Sequence, residues 1–489
     1  MTPNTLPDTD RQRWIALYVL CTGMLMIVLD GTVVNVALPT IQDDLDFSNA
    51  SLAWVVNAYM IAFGGLLLFA GRMGDLIGRR RMFLSGLGLF TGASLLCGLS
   101  TTQEMLVGAR FLQGVGGAMT SAVILGMIVT MFPQPSDQAK AIGVFAFVAS
   151  AGGSIGLLLG GILTQAISWH FIFFINIPIG VVTALMASRL LEHDDGIGLD
   201  KGADVPGALL ITSALMVGVY TIVAPAAEHG WTDPTTLLFA IASQALLGAF
   251  IVREHFAATP LIPLRIFKSR NVVGANLIQI FAVAGMFGLF FLGALYLQRV
   301  LGYDALETGL AFLPMTIVMG TLSVKFAEPL IMRYGARTLQ FPGLAIIALS
   351  LAWFTQSPVD GNYFVHVMPV MILLGLGAGI CFPGLMTIAM SGATPEDAGL
   401  ASALVNTSAQ VGGAIGLAVL ATLSASRTET LRDEGVARAQ ALVDGYHLAF
   451  WIAVGLVLCA IAVAAFVVKP VEMPDHADAP DAEPVGVEA

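Results

Sequence analysis

Two charges stand inside otherwise apolar stretches of this sequence. Asp30 is the only charge in the run from Trp14 to Leu38, and Arg110 interrupts a second run at residues 105–131. An ionisable side chain at the depth of a membrane is costly, so each is a functional hypothesis by default. Together they offer specific chemistry. While Asp30 is charged, Arg110 can hold it. When the arginine is drawn away or water access changes, burial favours the neutral form and the carboxylate takes up a proton. A proton-driven machine needs such a group. The alternative is a static ion pair that fixes helix packing without titrating.

The composition says what must position this pair. The chain has 489 residues, 57% hydrophobic and 11% charged, with a mean hydropathy of +0.84. Soluble globular chains carry about 25% charged residues. The deficit predicts an all-α polytopic membrane protein, because in lipid a spanning helix satisfies its own backbone. A formal charge of −11 disfavours a nucleic-acid partner. Cys21, Cys97, Cys381 and Cys459 all fall in apolar runs and read as small core residues. Spans of about 20 apolar residues recur fourteen times, from 14–38 to 399–423 and 447–468. The first run is too long for a signal-peptide core and reads as a retained helix. The segment 424–446 reads as a polar loop or an amphipathic surface helix. The tail 469–489 reads as disordered and acidic.

With an even number of spans both termini share one side. Of the 22 basic residues, only Arg299, Arg427, Arg432 and Arg438 then lie on the opposite side, with Arg110 in the membrane. That bias places the termini in the cytoplasm. Helical rise puts Asp30 about 13 Å below an outer helix end at Pro39, and Arg110 about 9 Å below the same surface, so the two could meet.

The sequence repeats itself. Gly152-Gly153-Ser154-Ile155-Gly156-Leu157 recurs as Gly412-Gly413-Ala414-Ile415-Gly416-Leu417, Pro135-Ser136-Asp137 as Pro395-Glu396-Asp397, and Leu112–Gly116 as Leu373–Gly377. The implied plan is a six-helix half at 1–190, two inserted helices with flanking loops at 191–260, and a second six-helix half at 261–468. A substrate site is expected between the halves. At the same offset Arg110 maps to Met371 and Asp30 falls near Phe290 and Phe291, so the second half lacks both charges. A symmetric packing role is then less attractive for the pair.

Enzyme signatures are absent or out of context. Gly152-Gly153-Ser154-Ile155-Gly156 fits a hydrolase elbow but lies in an apolar helix, without the strand-to-helix turn. No Gly-Lys dipeptide marks a nucleotide loop and no H-E-x-x-H marks a metal site. The expectation is a non-enzyme without metal or cofactor.

Several motifs resemble one family over nearly the whole chain: the fourteen-helix drug:proton antiporters of the major facilitator superfamily. Leu29-Asp30-Gly31-Thr32-Val33-Val34-Asn35-Val36-Ala37-Leu38-Pro39 is similar to that family's helix-1 motif. Gly71-Arg72-Met73-Gly74-Asp75-Leu76-Ile77-Gly78-Arg79-Arg80 matches the superfamily's G-x-x-x-D-x-x-G-R-[RK] loop. Arg110–Gly117, Trp169–Pro178 and Tyr296-Leu297-Gln298 resemble further family stretches. The resemblance implies the major facilitator fold, proton coupling through Asp30 and Arg110, and a cytoplasmic gate at Gly71, Asp75, Gly78, Arg79 and Arg80. In the second half Gly335 and Arg337 persist, but Met332 stands where Asp75 would align. In helix 5 the family's Gly-Pro is replaced by Gly156-Leu157. Gly152, Gly156, Gly160 and Gly161 still allow close helix approach. His170 stands where arginine is common and reads as a solvated loop residue.

The expected substrate pocket draws on Asn57, Tyr59, Gln113, Asn276, Gln279, Phe287, Asn406 and Gln410, with methionines such as Met24 and Met26 as a deformable wall. Spans 7–14 are expected to hold no well-buried acid, which favours neutral or monocationic amphiphiles. The expected partners are such a substrate, protons and the lipid bilayer, with the monomer as working unit in a cytoplasmic membrane. The leading reading is a proton-driven exporter of drugs or antibiotics. The alternatives are an uptake symporter or facilitator on the same fold, and a membrane sensor.

Overall fold

The computed structural model describes residues 10–48, 51–198, 202–392 and 398–470. Fourteen long helices carry the architecture. They are α1 (Asp10–Asp44), α2 (Trp54–Ile77), α3 (Arg79–Gly98), α4 (Gln103–Met131), α5 (Pro135–Ala166), α6 (Phe171–Leu190) and α7 (Val205–Val223). They continue as α8 (Pro234–Phe256), α9 (Arg270–Leu295), α10 (Ala305–Lys325), α11 (Ala336–Phe354), α12 (Met368–Ser391), α13 (Ala398–Asp433) and α14 (Arg438–Phe466). Thirteen of these regions are long and apolar enough to cross a membrane, and the 32-residue α5 completes the set. The chain is a multi-pass membrane protein.

Local chemistry sets the ends. Thr102, Asp204, Asp233 and Ser269 each accept a backbone N–H at a helix start, which satisfies donors that have no intrahelical partner. Asp304 and Glu307 form a reciprocal capping box on α10. Gly78 and Gly335 end their helices at φ 98° and 80°, a conformation costly for other residues. These two glycines hold equivalent places in the two halves.

Two expected boundaries move. α1 runs through Pro39 to Asp44, so Asp30 lies about 21 Å from that end, deeper than a helix stopping at Pro39 would place it. Residues 424–446 are neither loop nor surface helix: α13 continues to Asp433 and α14 begins at Arg438. Both extensions stand beyond the apolar runs, where hydropathy gives no signal. The proposed match of Pro395-Glu396-Asp397 lies outside the described residues, as does all but the first two positions of the 469–489 tail.

The repeat reappears as packing. In the first half Gly156 of α5 lies against Leu29 and Thr32 of α1; in the second, Gly416 of α13 lies against Ala284 of α9. Gly116 of α4 meets Gly86 and Phe90 of α3, as Gly377 of α12 meets Gly343 and Ile347 of α11. This register, with Leu29 matched to Ala284 and Val33 to Gly288, puts Gly285, not Phe290 or Phe291, at the place equivalent to Asp30. The sequence offset drifts because loops within the halves differ in length. Gly285 and Met371 are buried, so the second half still lacks both charges.

The halves touch through α5 with α10, α1 with α9, and α2 with α13. The inserted α7 packs on both α2 and α13, bridging the seam. On the face away from the termini, a π-helical turn at Tyr296–Val300 extends α9 and clasps the end of α1. Gln298 Nε2 donates to Val36 O at 2.9 Å and Arg299 Nη2 to Pro39 O at 3.0 Å and to Asp43.

Candidate functional site

Asp30 and Arg110 meet, and both are buried, 1% and 0% exposed. Arg110 Nη1 donates to Asp30 Oδ2 at 2.5 Å, and Arg110 Nε donates to Val55 O at 2.8 Å. Asp30 Oδ1 accepts from Gln113 Nε2 at 2.6 Å and Asn176 Nδ2 at 3.0 Å. Gln113 also accepts from Arg110 Nη1 at 2.7 Å and donates to Ser94 Oγ at 2.9 Å. The guanidinium lies 4.4 Å from the centroid of the Tyr59 ring, a stabilising cation–π contact. Five helices, α1, α2, α3, α4 and α6, are thus joined in one network around the carboxylate, which α4 and α6 touch directly.

The arrangement follows from electrostatics. A charge removed from water is tolerated only when paired and hydrogen-bonded. Asp30 has three donors, so its ionised form is fully served. Asn176 Oδ1, also buried, has no partner among the described residues. The network therefore holds an unused acceptor beside the carboxylate. Ser94 and Asn176 were missed by sequence reasoning. A single serine or asparagine in an apolar helix is common, and only the fold shows that Asn176 meets Asp30 and that Ser94 holds Gln113 and Asn176 beside it. Gln113 and Tyr59, both expected in the substrate pocket, belong to this network: Gln113 lies one turn from Arg110 on α4, and Tyr59 of α2 packs on the guanidinium.

The gate residues form a second cluster on the face that bears the termini. Arg79 donates to Asp75 Oδ1 at 3.1 and 3.2 Å, to Gly126 O at 3.0 Å and to Thr130 Oγ1 at 3.2 Å. These bonds tie α2, α3 and α4 together within the first half. An unforeseen residue completes them. The Asp194 carboxylate accepts from Arg79 N at 2.7 Å and Arg80 N at 3.2 Å, capping α3. Ile197 N donates to Asp75 O at 2.9 Å, so residues 194–197 strap the gate loop. A Cβ on Gly78 would sit 2.3 Å from Asp194 O, whereas Gly71 has only Ala122 near, at 3.9 Å. Arg80 bonds His193 at 3.2 Å and Ser188 O. In the second half Arg337 donates to Ala465 O at 2.8 Å, at the end of α14, a contact of a different kind.

The helix-5 glycines do what their spacing predicts. Gly152, Gly156 and Gly160 face Val28, Thr32 and Val33 of α1, and Gly161 faces Ala305 of α10 across the halves. The remaining pocket candidates divide. Asn276 is spent on Val272 O and Ser408, a packing role. Gln279 is buried and Asn406 is exposed. Phe287 and Met60 meet at Gly413, and Gln410 lies against Gly64, which puts these on the α2–α13 seam. Asn57 is fully buried on α2, with neither amide atom partnered among the described residues.

Three further expectations change. Glu254, in the last turn of α8, is an acid only 3% exposed. It survives there because Leu261 N and Ile262 N donate to it, a loop contact that hydropathy cannot show. His170 is half-buried, stacked 3.8 Å from Trp169, rather than solvated. Cys459 is exposed on α14, while the other three cysteines are buried.

Comparison with known proteins agrees with this geometry. Residues 20–417 match the model of the Major Facilitator Superfamily. The chain is 39% identical to the puromycin resistance protein of Streptomyces alboniger, over 93% of this chain and 91% of that one. It is 39% identical to a cephamycin export protein of Amycolatopsis lactamdurans, over 84% and 85%. It is 34% identical to the tetracenomycin C resistance and export protein of Streptomyces glaucescens, over 85% and 76%. Among solved structures, an inward-facing bacterial homolog of the human lysosomal transporter Spinster superimposes with a TM-score of 0.68 at 16% identity, covering 93% of this chain and 97% of that one.

Proposed function

From the premise that this chain belongs to the major facilitator superfamily, we propose that it is a proton-driven exporter of amphipathic drugs or antibiotics. It sits in the cytoplasmic membrane with both termini inside, and it works as a monomer without a cofactor. The observation that carries this reading is the buried Asp30 network. A facilitator needs no titratable group in lipid, and a packing device has little use for a carboxylate at the centre of a network that joins five helices. Relatives named for cephamycin export, for tetracenomycin C resistance and export, and for puromycin resistance support the direction of transport and the breadth of chemistry.

The residues divide the work. Asp30 takes a proton from the outer side, where opening of the clasp at Val36–Asp43 hydrates α1. Protonation removes the charge that Arg110 and Gln113 hold. The new O–H then needs an acceptor, and rotation of the Asn176 amide presents its free Oδ1. Arg110 is left to Val55 O, Gln113 Oε1 and Tyr59, so α1 and α4 are no longer locked. Substrate enters between the halves along the α2–α13 seam, against Met60, Phe287, Gln410 and Asn57. Asp75 and Arg79, with Gly71, Gly78 and Arg80, hold the cytoplasmic ends while the halves rock. The glycine face of α5 lets α1 slide against it without side-chain interlock.

Cells expressing the chain test this directly. They should retain less of a fluorescent monocationic or neutral amphiphile than control cells, and an uncoupler that collapses the proton gradient should erase the difference. Net inward accumulation would mean an uptake symporter instead.

A further inference from the structure

We propose that the face opposite the termini carries an oxyanion-binding site, for a carboxylate or phosphate group, between the ends of α1, α9, α13 and α14. A cavity of about 310 Å³ opens there, and Arg299, Arg432, Arg438, Thr428 and Tyr446 line it together with Asp43 and Asp46. Charge placement is the first observation. The sequence has only four basic residues in the segments of this face, Arg299, Arg427, Arg432 and Arg438, and three of them converge on this one cavity. The membrane bias keeps arginine scarce on that side, so their convergence needs a reason.

The second observation is the state of the donors. Arg299 is engaged by Asp43. Arg432 and Arg438 donate to no acceptor among the described residues, and neither forms an ion pair there. Tyr446 is only 4% exposed, its ring held by packing, and its hydroxyl, with no partner among the described residues, is open to the cavity it lines. Thr428 already donates to Ser424 O and Ala441 O, which leaves its lone pairs and fixes α13 against α14. Two planar guanidinium groups and a phenol, all donors, fit the oxygens of a carboxylate or phosphate. Asp46 stands on the α1 side and leaves the arginine side as the anion's seat.

The site spans the halves, since Asp43 lies in the last turn of α1 and Asp46 just after it, while the arginines belong to the second half. An anion seated on Arg432 and Arg438 also lies beside Arg299, the residue that clasps α1. The proposal concerns binding and does not depend on the direction of transport.

Calorimetric titration of inorganic phosphate into the full-length chain in phosphatidylcholine nanodiscs tests it, with sodium chloride at matched ionic strength as the control. Saturable binding at one site per chain is expected. Arg432→Gln and Arg438→Gln should each weaken it about tenfold, as the loss of a charge-assisted hydrogen bond does. Tyr446→Phe should weaken it severalfold; it keeps the ring packing and so guards against misfolding as the cause. Unsaturable binding, or equal binding by wild type and all three variants, overturns the proposal. Repeating the titration in phosphatidylglycerol nanodiscs identifies the source of the anion. Competition there assigns the site to a lipid phosphate, and unchanged affinity assigns it to a soluble anion.

Discussion

Gly156→Ala should uncouple α5 from α1 by a displacement that can be worked out in advance. The added Cβ would lie 2.0 Å from Thr32 Oγ1 and 3.0 Å from Leu29 O. Ordinary contact begins at 3.4 Å, so the helices must part by about 1.4 Å or strain by about 1–3 kcal/mol. Leu29 and Thr32 flank Asp30, so the shift falls on the carboxylate itself. An error of that size at a reacting group lowers rates by about tenfold or more. Thr32 supplies the closest atom and can be removed cheaply. Its hydroxyl bonds only Val28 O and Leu29 O within α1, so Thr32→Ala leaves no buried orphan donor. The prediction is therefore a double-mutant cycle in transport rate and apparent melting temperature. Gly156→Ala should lose about tenfold in transport, Thr32→Ala should stay near wild type, and the pair should recover to within about threefold. Equal defects in the single and double variants would refute the contact as the cause. A wild-type Gly156→Ala would refute the close approach altogether.

Other substitutions test other links. Arg110→Lys loses the Val55 O bond, the fork that reaches both Asp30 and Gln113, and the Tyr59 stack; substrate-driven proton movement should fall by at least about tenfold with normal membrane insertion. Arg299→Gln weakens the clasp on Pro39 O and Asp43, so the face opposite the termini should open more often. Labelling of a Leu306→Cys reporter by an impermeant maleimide should rise about fivefold, the effect of about 1 kcal/mol; an unchanged rate would exclude the clasp as a gate. Gly78→Ala should abolish transport, while Gly71→Ala should be mild. Only Gly78 combines a φ of 98° with backbone 2.3 Å from its missing Cβ; equal effects of the two would contradict the role given to the Asp194 strap.

The long apolar runs made the helices and their number readable, because lipid leaves the backbone few alternatives. Asp30 and Arg110 were readable as a pair for the same reason: nothing else charged shares their depth. The partners of that pair were not. Ser94 and Asn176 are small polar residues whose meaning depends on which way α3 and α6 face. Gln113 and Tyr59 stand out as polar and aromatic positions, but their contacts with Asp30 and Arg110 are not legible, since sequence gives depth along a helix and not the neighbour across it. The extended ends of α13 and α14 escaped because helix continues beyond the apolar window once packing supports it. Asp194 escaped because a lone loop aspartate has no periodicity; its role depends on the amides that Gly78 leaves at the start of α3.

The central claim is that Asp30 carries the coupling proton. The most direct measurement is substrate-induced collapse of a pH gradient in inverted membrane vesicles, wild type against Asp30→Asn. Asparagine keeps the shape and the contacts with Gln113 and Asn176 but holds no exchangeable charge. The account predicts that cationic and neutral amphiphiles collapse the gradient in wild-type vesicles and leave it intact in the variant. Equal collapse in both would show that Asp30 is a packing residue and that the proton travels elsewhere.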